Sequence, residues 1–172
     1  TIASHMKVVV YGINFAPELT STGKYTAEMA QWLAAAGHEV RVVTAPPYYP
    51  AWQIGQGYRA SQYRLELWRG VKVFRCPLWV PQHPSGLKRL LHLASFAVSS
   101  LPALFVAQWH WKPDVIWVVE PPFMCAPAAL AFAQLRRAKA WLHVQDYEVD
   151  AAFSLGLIKV ATLRRWAEGA EC

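Results

Sequence analysis

The stretch Val8-Val9-Val10-Tyr11-Gly12-Ile13-Asn14-Phe15-Ala16-Pro17-Glu18-Leu19-Thr20-Ser21-Thr22-Gly23-Lys24-Tyr25 decides the fold. Met6 to Tyr11 has the β-branched density of a buried strand, and Tyr25, Met29, Leu33 and Ala36 recur at helical spacing. The residues between them therefore form a glycine-bearing loop running from a strand end to a helix start. Backbone N–H groups in the first turn of a helix have no partner inside it, and the helix dipole adds positive potential there. Such a loop suits an anion, above all a phosphate held near Thr22, Gly23 and Lys24. The same residues also fit an ordinary capped helix, with Thr20, Ser21 or Thr22 as N-cap and nothing bound.

Outward from this loop, a second strand spans Glu39 to Thr44, entered through Gly37, where a helix end favours a residue tolerant of positive φ. Strand, helix and strand are complete within about forty residues, the size of a βαβ unit. Ala45 to Tyr63 carries Pro46, Pro47 and Pro50 among Tyr48, Tyr49, Trp52, Gly55 and Gly57, a composition that sustains neither helix nor central strand. It is a long aromatic loop, and long loops in compact domains are usually functional. Arg64 to Trp68 and Val71 to Cys76, split by Arg69-Gly70, form a hairpin.

Ser85 can cap an amphipathic helix beginning near Leu87. Lys88, His92, Ser95 and Ser99 fall on one face and Leu87, Leu90, Leu91, Ala94, Val98 and Leu101 on the other. Leu90 to Trp111 contains no Asp, Glu, Lys or Arg, a length that raises the question of a membrane span. Pro102 interrupts it, and Pro113-Asp114 leads into the strand-like Val115 to Val119, so a packed helix followed by a buried strand is the expectation, with lodging in a membrane interface as the alternative. Glu120-Pro121-Pro122 ends that strand, Phe123 to Leu135 is an alanine-rich helix, and Ala140 to Val144 is a last strand. Its end carries His143, Gln145, Asp146, Tyr147, Glu148 and Asp150, the most polar cluster in the chain.

Strands alternating with helices predict an α/β fold: a doubly wound, mostly parallel, Rossmann-like sheet, whose ligands bind outside the carboxyl ends of the strands. The first loop, Glu120 and the His143 cluster would share that edge. Residues 1–5 look like an expression-vector remnant, and residues 6–172 suit one domain. Lys7 is followed by too short an apolar run for a signal peptide. Cys76, Cys125 and Cys172 are odd in number and show no C-x-x-C spacing, so free thiols and no structural metal site are expected. The net charge of +6 is dispersed in pairs such as Lys88-Arg89 and Arg136-Arg137. No long basic run or reading module points to nucleic acid, so an anionic small molecule or membrane surface fits the excess better.

Two familiar phosphate motifs fail. A P-loop requires glycine where Glu18 stands and Ser or Thr where Tyr25 stands, and Gly12 and Gly23 are too far apart for a dinucleotide fingerprint. No G-x-S-x-G elbow accompanies His143 and Asp146, and His143-x-x-Asp146 lacks further metal ligands. An imidazole at a strand end beside carboxylates can still hydrogen-bond or exchange a proton with a substrate.

Y-G-I-N-F-x-P-E-x-T (Tyr11 to Thr20), G-K-Y-T-x-E-M (Gly23 to Met29), G-H-E-V-R-V-V-T-A-P-P-Y-Y-P (Gly37 to Pro50), L-K-R-L-L-H-L-x-S-F (Leu87 to Phe96) and H-V-Q-D-Y-E-V-D (His143 to Asp150) together are specific. In this combination the chain resembles the amino-terminal half of the retaining GT-B glycosyltransferases of the colanic acid and exopolysaccharide type. The resemblance implies transfer of a sugar from a nucleotide diphosphate donor to a lipid-linked saccharide acceptor at the cytoplasmic membrane face, with no cofactor or metal. It implies that Thr22, Gly23 and Lys24 approach the donor diphosphate and that His143 faces the donor sugar as catalytic residue. Asn14, Glu18, Tyr25, Tyr48, Tyr49 and Trp52 would contact the acceptor, with Glu120 and Asp146 in support. Ser21 stands where relatives often have glycine, and the carboxy-terminal donor domain is expected to be absent. A catalytically inert membrane-surface or sugar-binding module is the competing expectation; an epimerase-like enzyme would need the nicotinamide fingerprint that the sequence lacks.

Overall fold

A computed structural model describes residues 5–19, 21–120 and 123–144. Six strands form one sheet: β1 (Lys7–Tyr11), β2 (Glu39–Thr44), β3 (Arg64–Trp68), β4 (Val71–Arg75), β5 (Val115–Glu120) and β6 (Lys139–Val144), in the order β3-β4-β2-β1-β5-β6. All neighbours are parallel except the β3–β4 hairpin, which sits at one edge. The chain builds outward from β1 through β2 to β4, then returns to lay β5 and β6 on the other side of β1. The order therefore reverses between β1 and β5, the kind of place where open α/β sheets hold ligands.

Both faces of the sheet are covered, so the central strands are nearly continuous apolar runs. Alternation assigns the faces. Val8, Val10, Val42, Val73, Trp117 and Val119 pack with Ala27 and Ala30 of α1 (Ser21–Ala35). Val9, Tyr11, Val43, Ile116 and Val118 pack with Phe96, Leu104 and Phe132 of α2 (Gly86–Ser99), α3 (Leu101–Phe105) and α4 (Ala126–Arg136). A short 3-10 turn, Phe123–Cys125, leads into α4. Cys76 and Cys125 are buried and joined in no disulfide, and burial pushes the Cys76 thiol up to about 12.

Two helices present different faces to the core than their apolar spacing implies. In α1, Tyr25 and Met29 are 59% and 44% exposed, and the buried side is Thr26, Ala27 and Ala30. Those small side chains let the helix backbone lie close on the sheet, and the large ones turn outward. In α2 much of the expectation is inverted: His92 and Phe96 are buried, while Leu87, Leu91 and Val98 are 70%, 52% and 68% exposed, Lys88 stays outside and Leu90 and Ala94 are half-buried. His92, Ser95 and Ser99 face inward because the chain between β4 and α2 offers them backbone partners. Nδ1 of His92 lies 2.6 Å from the Trp79 carbonyl, the Trp79 N–H donates to Ser95 Oγ at 3.0 Å, and Ser99 Oγ donates to the Pro77 carbonyl. Burying Phe96 adds about 1.5–3 kcal/mol of transfer energy. The uncharged run from Leu90 is broken between α2 and α3, and no described helix is long and apolar enough to cross a membrane.

Candidate functional site

The carboxyl edge of the sheet gathers the loops after β1, β2 and β4. Gly12 leaves β1 against the end of β5: a Cβ there would sit 3.1 Å from Val119 Cβ and 3.3 Å from its carbonyl oxygen, so the close approach at the switch point favours glycine. The chain then turns through Asn14 and Glu18 into α1.

Glu18 is buried, and both its carboxylate oxygens are engaged. Oε1 accepts the backbone N–H of Tyr48 at 2.8 Å and of Tyr49 at 2.9 Å, and Oε2 accepts Asn14 Nδ2 at 2.9 Å. Burial pushes its carboxyl above the ordinary carboxylate range, and the Tyr49, Tyr48 and Asn14 donors and the Arg75 charge pull it back. A Cβ on Gly23 would lie 2.9 Å from Glu18 Oε2 and 3.0 Å from its Cβ, so the first turn of α1 is packed directly on this side chain. Arg75 braces the same junction from below. It is fully buried, pairs with Glu66 at 2.8 Å, and donates to the Ala45 carbonyl at 2.9 Å and to the Ala16 carbonyl. Glu18 and Arg75 thus lock the phosphate-type loop to the aromatic loop.

Tyr48 is buried, with its ring 4.6 Å from that of His92 and 5.7 Å from Trp52, while Tyr49 is 43% exposed. His92 is fully buried, its Nε2 has no hydrogen-bond partner, and burial holds its pKa below the usual imidazole value. Asn14, Glu18, Gly23 and the backbone of Tyr48 and Tyr49 therefore form one cluster, and Tyr48, Trp52 and His92 a second one joined to it.

The remaining candidates stand apart from these clusters. Thr22 is half-buried in the first turn of α1. Lys24 is exposed, 3.9 Å from Glu28 one turn along, and lies over the Tyr25 ring, so both side chains are on the outer surface of α1. His143 is half-buried on β6, opposite Val119 of β5, with its ring 5.5 Å from that of Trp117. Val119 and Trp117 belong to the α1 face, so His143 shares the sheet face and carboxyl edge of the α1 start, two strand spacings, or about 10 Å, from β1. Glu120 closes β5. Asp146 lies outside the described residues, as does Thr20. Among the described residues no group of His, Cys, Asp and Glu is arranged to hold a metal ion.

Arg75 and His92 escaped the reading of the sequence, although each carried a signal. Arg75 has the same strand phase as the buried Val71 and Val73, and His92 lies one turn from the buried Phe96.

The model of the glycosyl transferase 4-like domain matches residues 21–170. The chain belongs to the glycosyl transferase 4-like family. It is 60% identical over 152 residues to the colanic acid biosynthesis glycosyl transferase WcaI of Escherichia coli (strain K12), a match covering 88% of this chain and 37% of that protein. The chain thus spans little more than a third of the length of this relative. Among solved structures, it is similar to the catalytic domain of starch synthase IV from Arabidopsis thaliana, with a TM-score of 0.54 at 18% identity over 82% of this chain and 34% of that one. The glycotransferase of kitacinnamycin matches with a TM-score of 0.54 at 15% identity, over 90% of this chain and 34% of that one. These likenesses show the fold: the glycosyl transferase 4-like domain here is a mostly parallel α/β sheet domain of the kind found in GT-B glycosyltransferases.

Proposed function

We propose that this domain forms the acceptor side of a retaining glycosyltransferase that moves a sugar from a nucleotide diphosphate to a lipid-linked saccharide precursor, as in colanic acid or related exopolysaccharide synthesis. In that reaction the bond from the sugar anomeric carbon to the diphosphate breaks, a bond to an acceptor hydroxyl oxygen forms, and the hydroxyl proton is lost. Charge develops on the departing diphosphate, and the unpaired N–H groups and dipole of the α1 start, with Lys24 nearby, meet part of it. His143 hydrogen-bonds the donor. Asn14, Tyr25, Tyr49 and Trp52 face the acceptor, aromatic rings suiting the apolar faces of sugars, and the buried Tyr48 supports Tyr49 and Trp52 from behind. Glu18 enters this reading as the support of the acceptor loop, because its oxygens are already bonded within the domain.

The observation that carries the proposal is that the α1 start and His143 share one face and one edge of the sheet, flanking the reversal between β1 and β5. In the protein extended to the length of its E. coli relative, His143→Ala lowers sugar transfer about tenfold or more with folding intact. Wild-type turnover in that variant removes His143 from the chemistry. The transfer needs no resident metal, so a chelator leaves the rate unchanged, and loss of activity restored by a divalent cation overturns that part.

The outward apolar stripe of α2 favours a second element of the proposal, peripheral contact with the cytoplasmic membrane face. The same stripe suits a catalytically inert membrane-surface module. Vesicle flotation together with sugar transfer supports the enzyme, whereas flotation with no transfer by the extended protein supports the inert module.

A further inference from the structure

Beside α2, on the side opposite His143's face of the sheet, the loop after β2 and the segment after β4 border an open cleft of about 510 Å³, within the range of about 300–1,000 Å³ usual for small-molecule sites. Its wall is built from Trp52, Ile54, Leu78, Trp79 and Val80. The serines that α2 contributes do not make it polar. Ser95 Oγ accepts the Trp79 N–H and donates to the His92 carbonyl at 2.7 Å, and Ser99 Oγ is bonded to the Pro77 and Phe96 carbonyls. Gln53, Ser61 and Gln82 add polar groups to the lining, and the rest of what it offers a ligand is hydrocarbon and indole. Trp79 is 46% exposed although both its backbone polar groups are bonded to α2, so the ring is held out at the cleft.

Two further observations specify the occupant. Arg89 lies with its guanidinium carbon 5.6 Å from the centroid of the Trp52 ring, next to Lys88, so a cation sits on the rim of an apolar pocket. From Leu67 to Pro113 the chain has no acidic residue, and nothing on these elements opposes an anion there. In addition, the exposed stripe Leu87, Leu91 and Val98 occupies the helix rows next to Ser95 and Ser99, which line the cleft. A hydrocarbon chain held by a bilayer against the stripe would therefore lie next to the cleft.

We propose that this cleft binds the apolar chain of the lipid-linked acceptor, a long hydrocarbon, with the adjoining phosphate at Arg89 and Lys88. The inference rests on the acceptor-side reading above and extends it from the sugar to the lipid. His92 connects the two parts, since it is bonded to Trp79, its ring touches Trp52, and it packs edge-on against Tyr48. The lipid site is thereby fixed relative to the aromatic loop.

The test is calorimetric titration of this chain with farnesyl phosphate below its micelle concentration, with inorganic phosphate and farnesol as separate probes. Saturable binding of farnesyl phosphate is expected, weakened about tenfold or more by Trp79→Ala and by Ile54→Ser. Trp79→Ala keeps both backbone hydrogen bonds, and circular dichroism verifies that each variant is folded. Arg89→Gln weakens farnesyl phosphate but not farnesol. Leu91→Ser and Val98→Ser on the stripe leave this binding unchanged while reducing vesicle flotation. Absence of saturable binding, or equal binding to wild type and both cleft variants, overturns the proposal. If farnesyl phosphate binds through the cleft but the extended protein transfers no sugar, the lipid site stands and the transferase reading falls. Sugar transfer without farnesyl phosphate binding has the opposite meaning.

Discussion

Burying the Glu18 carboxylate costs desolvation energy, which three N–H donors and the nearby Arg75 charge only partly offset, because the carboxyl stays above its ordinary value of 4.5. The native state therefore takes up this proton more readily than the unfolded chain. Linkage gives the sign: the group's contribution is greatest below the ordinary carboxylate value and declines as pH rises through the higher native value. Glu18→Gln removes that dependence, so the stability of wild type relative to the variant falls with rising pH across this window. Urea unfolding of both proteins over a pH series checks it, and parallel pH profiles contradict it. Gly23 provides a companion case. A methyl group would press on Glu18 Oε2 at 2.9 Å and Cβ at 3.0 Å, so Gly23→Ala costs about 1–3 kcal/mol through the displaced carboxylate. Amide hydrogen exchange at Tyr48 and Tyr49, whose N–H groups Glu18 accepts, speeds up in the same variant. Their unchanged protection would show that Glu18 does not transmit the strain.

At the level of elements, α2 reads one way from the sequence and folds another. Its stripe variants Leu91→Ser and Val98→Ser change stability by no more than about 0.5 kcal/mol, as surface substitutions do, whereas Phe96→Ala on the inner side costs about 3–5 kcal/mol. Thermal unfolding of the three variants distinguishes the faces, and comparable losses in all of them would place the stripe in the core. The inversion was hidden because the partners of His92, Ser95 and Ser99 are backbone groups of Pro77 and Trp79, in a segment with no periodicity of its own. Period alone ranks Leu above His for the inside and has no means of counting such partners. The strands were legible for the opposite reason: their apolar runs pack on both faces, and β2 spans the residues that its β-branched run implies. The same limit applies to Glu18. The loop around it announced a helix start, but its bonds reach Tyr48 and Tyr49 thirty residues away, beyond any local pattern. His143 was legible at its strand end, while the polar residues that follow it, Asp146 included, lie outside the described part of the fold.

Across the whole molecule, charge and apolar surface are distributed together. The net charge of +6 includes no acid between Glu66 and Asp114, and this is the region that holds α2, its stripe and the part of the apolar cleft built from Pro77 to Ser99. A bilayer with anionic headgroups meets both properties at once: hydrocarbon accepts Leu87, Leu91 and Val98, and headgroup phosphates pair with Lys88 and Arg89. Each basic side chain near such a surface is worth about 1 kcal/mol, so Lys88→Gln with Arg89→Gln weakens binding to anionic vesicles roughly tenfold to thirtyfold. The electrostatic part is screened by salt, with a Debye length of about 10 Å at 0.1 M and about 3 Å at 1 M, so wild-type affinity falls as salt rises. The apolar part is not screened, so the double variant has weaker but nearly salt-independent binding, and Val98→Ser retains the salt slope at lower affinity. Cosedimentation over a salt series measures all three. Equal affinity for neutral and anionic vesicles, or a wild-type salt slope in the double variant, would mean that the basic pair is an ordinary solvated helix end and that α2 meets some other apolar surface.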